Sequence, residues 1–161
     1  MQEIEILWHL IEQGRKGNNI GTSTGLSKLD KIIGGIQPSR YYLCSAASSA
    51  GKSSLILYMI YNILKQNTKD APTYFIWFSL EIGSEVLLAK LMALYCAEEF
   101  GIYLTINDIL SFDDVLDDES YQYLKKAKEW LLSIKEYLHI LDKALSSKVL
   151  YKETLQYVSK H

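Results

Sequence analysis

A loop of small residues between two apolar segments constrains this chain more than any other feature. The loop "SAASSAGKSS" occupies residues 45–54, after the run "YYLCSA" and before "SLILYMIYNIL". The first run is short and apolar, which predicts a buried strand, and the second is too long for a strand and predicts a buried helix. A strand, a small-residue loop and a helix in direct succession form the context in which a phosphate-binding loop works.

The loop matches the phosphate-binding pattern G-x-x-x-x-G-K-S/T at every position except the first. Backbone N–H groups and the N-terminus of the following helix do most of the binding, so alanine can fill the first position if its φ is negative. Lys52 would supply positive charge for the β- and γ-phosphates, and Ser53 a hydroxyl ligand for Mg²⁺. The predicted nucleotide-binding residues are Ala46, Ala47, Ser48, Ser49, Ala50, Gly51, Lys52, Ser53 and Ser54.

Glu81 is the second candidate site residue. It follows the run "TYFIWFSL", whose β-branched and aromatic content predicts a central parallel strand. Ligands of such sheets gather beyond the carboxyl ends of the strands, where a carboxylate can activate the water that attacks a γ-phosphate. Capping of the following helix is the alternative, although Glu85 fits the role of a first-turn acid better. Glu81 and Lys52 are therefore candidate catalytic residues, and the residues alone leave helix capping open for Glu81.

The rest of the chain alternates between predicted strands and predicted helices. Apolar spacing predicts helices near residues 3–14, 84–98, 118–135 and 149–160, and a short helix that Ser27 caps and Gly34–Gly35 ends. The run "YLHILD" predicts another short strand. Alternating strands and helices indicate an α/β fold with a parallel sheet flanked by helices.

The first helix carries one apolar face, formed by Ile4, Leu7, Trp8 and Ile11. This face could pack on its own domain. It could also dock on a neighbouring subunit, because the polar, glycine-containing segment "GRKGNNIG" separates the helix from the next predicted element.

Composition narrows the class of protein. The 161 residues fit one domain, and the net charge of −2 argues against strong DNA binding by this chain alone. No stretch approaches the roughly 18 apolar residues of a membrane span, and the N-terminus does not resemble a signal peptide. Cys44 and Cys96 are expected to be buried thiols in a reducing compartment. We therefore expect a cytoplasmic protein with no membrane partner.

Three other features have competing interpretations. Asp142 follows the apolar run of "YLHILD" and could order Mg²⁺, but His139 in mid-strand is unusual for that motif. His139 itself is interpreted as a satisfied side chain rather than a ligand. A group of acids is assigned to helix capping and solvation, because it lacks a glycine-containing calcium loop. Its members are Asp113, Asp114, Asp117, Asp118 and Glu119.

Three blocks together resemble one family. The blocks "GTSTGLSKLDKIIGGIQPSRYYLCSA", "SAASSAGKSS" and "FIWFSLEIGSEVLLAKLMA" look like the RecA-like P-loop motor domain of DnaB-type replicative DNA helicases, most clearly over residues 18–100. The resemblance implies a hexameric ring that binds ATP and Mg²⁺ between subunits and moves on single-stranded DNA. It makes Glu81 the catalytic base and residues 1–17 a linker helix that docks on the next subunit. Residues 18–161 would then be the N-terminal part of the motor, which we expect to be phage-encoded.

The chain also departs from that family's pattern. The family places an apolar strand ending in aspartate, its DNA-contacting loops and an arginine finger after the segment that matches residues 149–160. We therefore expect a fold that is incomplete at the C-terminus, and a chain that binds ATP weakly and is inactive alone. A complementing C-terminal fragment, a primase or a helicase loader would be further partners.

Two alternative functions stay open. A helicase-like chain could be a non-catalytic interaction or regulatory module, although a pure decoy has no need of Lys52, Ser53 and Glu81 together. Recombinase-like and KaiC-like ATPases share the opening "STG…LD…GG" and form the other alternative.

Overall fold

The computed structural model describes residues 2–70, 72–112, 114–143 and 146–160. The chain divides into two compact units, Met1–Asn67 and Thr68–His161. The helices of the first unit are α1 (Gln2–Arg15), α2 (Ser27–Ile33) and α3 (Lys52–Gln66). The elements of the second unit are β1 (Phe75–Phe78), α4 (Ser84–Phe100), α5 (Ile106–Leu110), α6 (Asp118–Ile134), β2 (Leu138–Leu141) and α7 (Ser147–Lys160).

Helix α1 confirms the predicted amphipathic helix, and its apolar face is exposed. Ile4 is 67% exposed, Leu7 58% and Trp8 59%, and none of the described residues of α1 is buried. The alternative in which this face packs on its own domain is therefore wrong for the described part of the chain.

A carboxylate organises the turn between α1 and α2. Asp30 accepts hydrogen bonds from the Thr24 hydroxyl at 2.7 Å, the Thr24 N–H at 3.1 Å and the Ser23 hydroxyl at 2.8 Å. Desolvation raises the pKa of Asp30, but the hydrogen bonds from Thr24 and Ser23 outweigh it and leave the pKa below its usual value. Thr24 is fully buried, so Asp30 satisfies polar groups that water does not reach.

Gly25 places this turn against α3. Its φ is +81°, and a Cβ there would lie 2.3 Å from Cγ of Asn62. Both the backbone conformation and the close approach therefore require glycine.

Helix α2 begins differently from the sequence-based expectation. Ser27 is its first residue rather than its cap, and the N-cap is Leu26, which makes no side-chain capping bond among the described residues. The predicted stop is confirmed, because Gly34 takes the left-handed conformation and donates its N–H to the carbonyl of Asp30.

The run "YYLCSA" is not a strand in this structure. Tyr41 is 87% exposed and Leu43 77%, and residues 41–47 have no regular secondary structure. An extended segment becomes a strand only when a neighbour satisfies its backbone groups. Within the described part of the first unit, the backbone pairing is a bridge between Thr22 and Ile36 instead. Cys44 is consequently exposed, against expectation, whereas Cys96 is buried, and both thiols are free.

The second unit confirms the parallel sheet, which has two strands among the described residues. β1 pairs with β2 in parallel, with Phe75 opposite Leu138 and Phe78 opposite Leu141. The N–H of Ser79 extends the ladder by donating to the carbonyl of Leu141 at 2.9 Å. The two runs "TYFIWFSL" and "YLHILD" each contain a strand, as predicted, and the structure shows that the two strands are neighbours.

Helices α4, α5 and α6 pack around a small apolar core. Cys96 and Ala127 are fully buried at its centre beside Leu124, and Leu87 and Leu91 of α4 are also buried. Ile134 of α6 is buried as well, whereas Leu88 is exposed and belongs to an open groove. None of the described helices is long and apolar enough to cross a membrane.

One of the acidic residues near the start of α6 caps that helix. Asp117 is the N-cap of α6 and accepts from the N–H of Ser120 at 2.8 Å, which confirms the capping interpretation. Sequence analysis missed α5, although its capping box of Thr105 and Asp108 was visible as a T-x-x-D pattern. Asp113 lies outside the described residues, and within the described ranges no group of His, Cys, Asp and Glu could hold a metal ion.

We predict that Asp30→Ala lowers the free energy of unfolding by about 1–2 kcal/mol, because it leaves the buried N–H and hydroxyl of Thr24 without their acceptor. Urea denaturation would measure the loss. The exposed carboxylate of Asp70 offers a matched control, since Asp70→Ala should change stability by less than about 0.5 kcal/mol. Equal losses in both variants would show that the Thr24 contact contributes nothing specific.

Candidate nucleotide-binding site

The loop before α3 is exposed and ends in a glycine with a left-handed backbone. Gly51 is the N-cap of α3 with φ +90° and ψ +16°, and it makes no side-chain capping bond among the described residues. The N–H of Ala50 donates to the carbonyl of Ala47 at 3.3 Å, which tightens the loop. Residues 46–51 and Ser54 are exposed, and Ser53 is partly exposed in the first turn of α3. The start of α3 therefore faces solvent, where its N–H groups and helix dipole favour an anion.

Lys52 folds back over the beginning of the loop. Its ammonium group donates to the carbonyl of Ala46 at 3.1 Å and to that of Ala47 at 3.0 Å. The first loop position thus contributes a backbone carbonyl. Among the described residues, positive φ outside glycine occurs at Ser39, Ser49 and Ser111. Ala46 is not one of them, so alanine meets the conformational condition for replacing the usual glycine.

Glu81 lies in the second unit, on the loop between β1 and α4. Its side chain is exposed, two residues after the buried Ser79. The Ser79 hydroxyl donates to the carbonyl of Ile82 and closes this loop. Glu85 is in the first turn of α4, as expected. The structure thus groups residues 46–54 in one unit and Glu81 in the other, and the catalytic pairing of Glu81 with the phosphate loop stays a prediction.

Asp142 has a role that sequence analysis did not identify. Its carboxylate accepts from the N–H of Ser84 at 2.8 Å and so caps α4 from 58 positions further along the chain. Hydrogen bonds from the side chain and backbone of Ser84 hold the pKa of Asp142 below its usual value. The signal in the sequence was Gly83, the N-cap of α4, because glycine has no side chain that could cap the helix.

His139, within β2, is a second residue that the sequence analysis considered as a possible metal ligand. Its ring stacks on that of Tyr157 with centroids 5.1 Å apart and an angle of 14°. The side chain is therefore engaged in packing, in agreement with the prediction that it is satisfied.

Comparison with known proteins defines the family. Residues 21–149 match the family described as DnaB-like helicase C terminal domain. The match covers most of the chain, so this chain belongs to that family, whose fold is RecA-like.

Two relatives show how much of a longer protein the matched region represents. The chain is 32% identical over 90 residues to the replicative DNA helicase DnaC of Bacillus subtilis (strain 168), a match over 55% of this chain and 18% of that protein. It is 39% identical over 74 residues to the replicative DNA helicase DnaB of Treponema pallidum (strain Nichols), a match over 46% of this chain and 16% of that protein. The matched region therefore spans less than a fifth of each relative.

We predict that Gly51→Ala destabilises the start of α3 by about 1–2 kcal/mol, because its left-handed backbone disfavours a Cβ. Among the described residues, no atom lies within 4 Å of the position that a Cβ would occupy at Gly51. The loss of stability would therefore come from the backbone conformation and not from a steric clash. Gly83 is the matched control, since its φ of −62° suits alanine and the nearest atom to an added Cβ is a carboxylate oxygen of Glu85, at the end of a flexible side chain. Thermal unfolding followed by circular dichroism would compare them, and equal stability of the two variants would contradict the prediction.

Proposed function

We propose that this chain is the ATP-binding portion of a DnaB-like replicative helicase motor, which unwinds duplex DNA as a hexamer through ATP hydrolysis. The observation that carries the proposal is the phosphate loop: Gly51 turns the chain into α3, and the Lys52 ammonium group lies over the first loop residues. Membership of the DnaB-like family supports the same conclusion.

The loop fits Mg-ATP by the chemistry of its donors. Backbone N–H groups at the start of α3 would bind phosphate oxygens, and the Lys52 ammonium group would neutralise the β- and γ-phosphates. The Ser53 hydroxyl would be the protein's ligand to Mg²⁺, the ion that balances charge on the transferred phosphate. Residues 46–54 thus hold and orient the nucleotide.

Glu81 is the proposed catalytic base. Its carboxylate is exposed beyond the carboxyl end of β1, which is the edge of a parallel sheet where ligands gather. From there it would orient the attacking water and accept its proton. Single-stranded DNA would be the track along which the assembled ring moves, with the energy of hydrolysis coupled to that movement.

Assembly is proposed to depend on α1, as the linker of residues 1–17 ahead of the motor of residues 18–161. Its exposed apolar face is accompanied by Glu3, Glu5 and Glu12 on the same helix. The second unit has an apolar groove of about 680 Å³ whose charged border is formed by Lys125, Lys128 and Glu129. We infer that α1 of one copy docks in this groove of a neighbouring copy, because both surfaces are apolar and the two lysines outnumber the one acid that would face the glutamates of α1. The groove's apolar lining is Met92, Ile109, Leu116, Leu124 and Leu132.

We predict that Lys52→Ala lowers the affinity for Mg-ATP by about tenfold to a hundredfold, as expected for the loss of a charged hydrogen-bond donor. Titration calorimetry would measure the dissociation constant. Lys31→Ala is the control, because it removes the same charge from an exposed position in the same unit. Equal affinities of Lys52→Ala and the wild type would contradict nucleotide binding at this loop, and no binding by either protein would favour a non-catalytic interaction module.

We predict that Glu81→Gln retains ATP affinity but slows ATP hydrolysis by the assembled protein by about 10²–10⁴-fold, as loss of a general base does. Phosphate release with and without single-stranded DNA would measure it. Glu85→Gln changes a carboxylate of the first helical turn and should leave the rate nearly unchanged. A Glu81→Gln protein that hydrolyses ATP at the wild-type rate would exclude Glu81 as the base.

We predict that Trp8→Glu weakens self-association by at least about tenfold, because it places a charge in the apolar face of α1. Light scattering across a protein concentration series would follow the oligomer. Ile32→Glu is the control, since Ile32 is 82% exposed on α2, away from that face. If the two variants associate alike, α1 does not form the interface.

A further inference from the structure

The loop that carries Glu81 is fixed at both ends by two consecutive residues at the end of β2. At its start, the N–H of Ser79 donates to the carbonyl of Leu141 at 2.9 Å. At its end, the N–H of Ser84 donates to the carboxylate of Asp142 at 2.8 Å. The last residue of β2 and Asp142, which follows it, thus bind both ends of the loop between β1 and α4, although they lie far from that loop in the sequence.

The second of these contacts cannot be supplied locally. Helix α4 needs an acceptor for its first N–H groups, and its N-cap, Gly83, makes no side-chain capping bond among the described residues. Asp142 fills that position from another element. Hydrogen bonds from Ser84 hold the pKa of Asp142 below its usual value, so the carboxylate stays charged through the neutral range and the cap is present there.

Between its ends the loop also has an internal hydrogen bond. The hydroxyl of Ser79, a buried residue, donates to the carbonyl of Ile82. Glu81 projects into solvent between these fixed points. The position of its carboxylate therefore depends on the backbone around it rather than on side-chain packing.

We propose that Asp142 is a positioning residue for Glu81, acting through the N-terminus of α4. The proposal rests on the proposed catalytic role of Glu81. Without the Asp142 carboxylate, the Ser84 end of the loop is released and Glu81 samples a wider range of positions. Small displacements of a catalytic group reduce the rate strongly, because the reacting atoms must meet within a few tenths of an ångström.

The first test measures the loop directly and requires no hydrolysis. Hydrogen exchange of the Ser84 amide and ¹⁵N relaxation of residues 80–83 would be compared in the wild type, Asp142→Ala and Asp142→Asn. We expect exchange at Ser84 to be about tenfold faster in Asp142→Ala, with lower order in the loop. Asp142→Asn, which keeps an oxygen acceptor, should restore most of both.

A matched control separates positioning from general loss of stability. Asp117→Ala removes the same kind of cap from α6, where the carboxylate accepts from Ser120 at 2.8 Å. It should destabilise its own helix while leaving Ser84 exchange and the order of residues 80–83 unchanged. Unchanged loop order in a folded Asp142→Ala protein, or the same loosening in Asp117→Ala, overturns the proposal.

The second test asks whether the loop's position matters for the reaction. In the assembled protein, Asp142→Ala should lower kcat about tenfold with an unchanged Kd for Mg-ATP, and Asp142→Asn should recover most of the rate. Adding Asp142→Ala to Glu81→Gln should cause no further loss, because the first residue acts through the second. If Asp142→Ala loosens the loop but keeps full activity, Asp142 does not position Glu81 for the reaction. Glu81 can still be the base in that case. Full activity of Glu81→Gln refutes the proposed base, and the amide measurements still decide whether Asp142 fixes the loop.

Discussion

The first N–H groups of an α-helix have no partners within the helix, and the helices of this chain meet that requirement in different ways. Helices α5 and α6 are capped by their own neighbours, Thr105 and Asp117. Helix α4 begins after Gly83 and takes its cap from Asp142. Helix α3 begins after Gly51, which makes no side-chain capping bond among the described residues. Helix α2 also begins without a side-chain cap, so an uncapped start alone does not mark a phosphate site, and the proposal for α3 rests on the exposed loop of residues 46–54 before it.

Local patterns in the sequence predicted much of the fold. The spacing of apolar residues gave the positions of α1, α4, α6 and α7 to within a few residues, since a helical face is a property of neighbouring positions, and the length of an apolar run gave α3. The composition of the two runs gave β1 and β2 as strands, whereas their pairing with each other was not predicted. The strand expected at residues 41–46 was wrong, because the same composition indicates a strand only where a neighbouring strand is available, and no local pattern reports that.

The candidate site likewise has one part that a local motif predicts and one part that depends on a contact between distant positions. Residues 46–54 are contiguous, so one motif predicts all of them as a nucleotide site, and that assignment stays a prediction. Asp142 could not be assigned from its surroundings in the sequence, because its partner Ser84 lies 58 positions away. Sequence analysis weighed this carboxylate as a metal ligand, whereas its hydrogen bond makes it a structural acceptor. A contact between distant positions becomes visible only once β2 is aligned beside β1.

The hydrogen bonds of Lys52 to the carbonyls of Ala46 and Ala47 would affect which anions the proposed phosphate loop binds. An incoming anion competes with two carbonyl oxygens for the same ammonium group, so part of its attraction replaces bonds that already exist. A weakly charged anion gains little by that exchange. A polyphosphate, with several charged oxygens along one chain, can displace the carbonyls and still reach the N–H groups of α3. In the proposed nucleotide-binding role, these bonds would favour ligands that engage more than one donor of the loop at once.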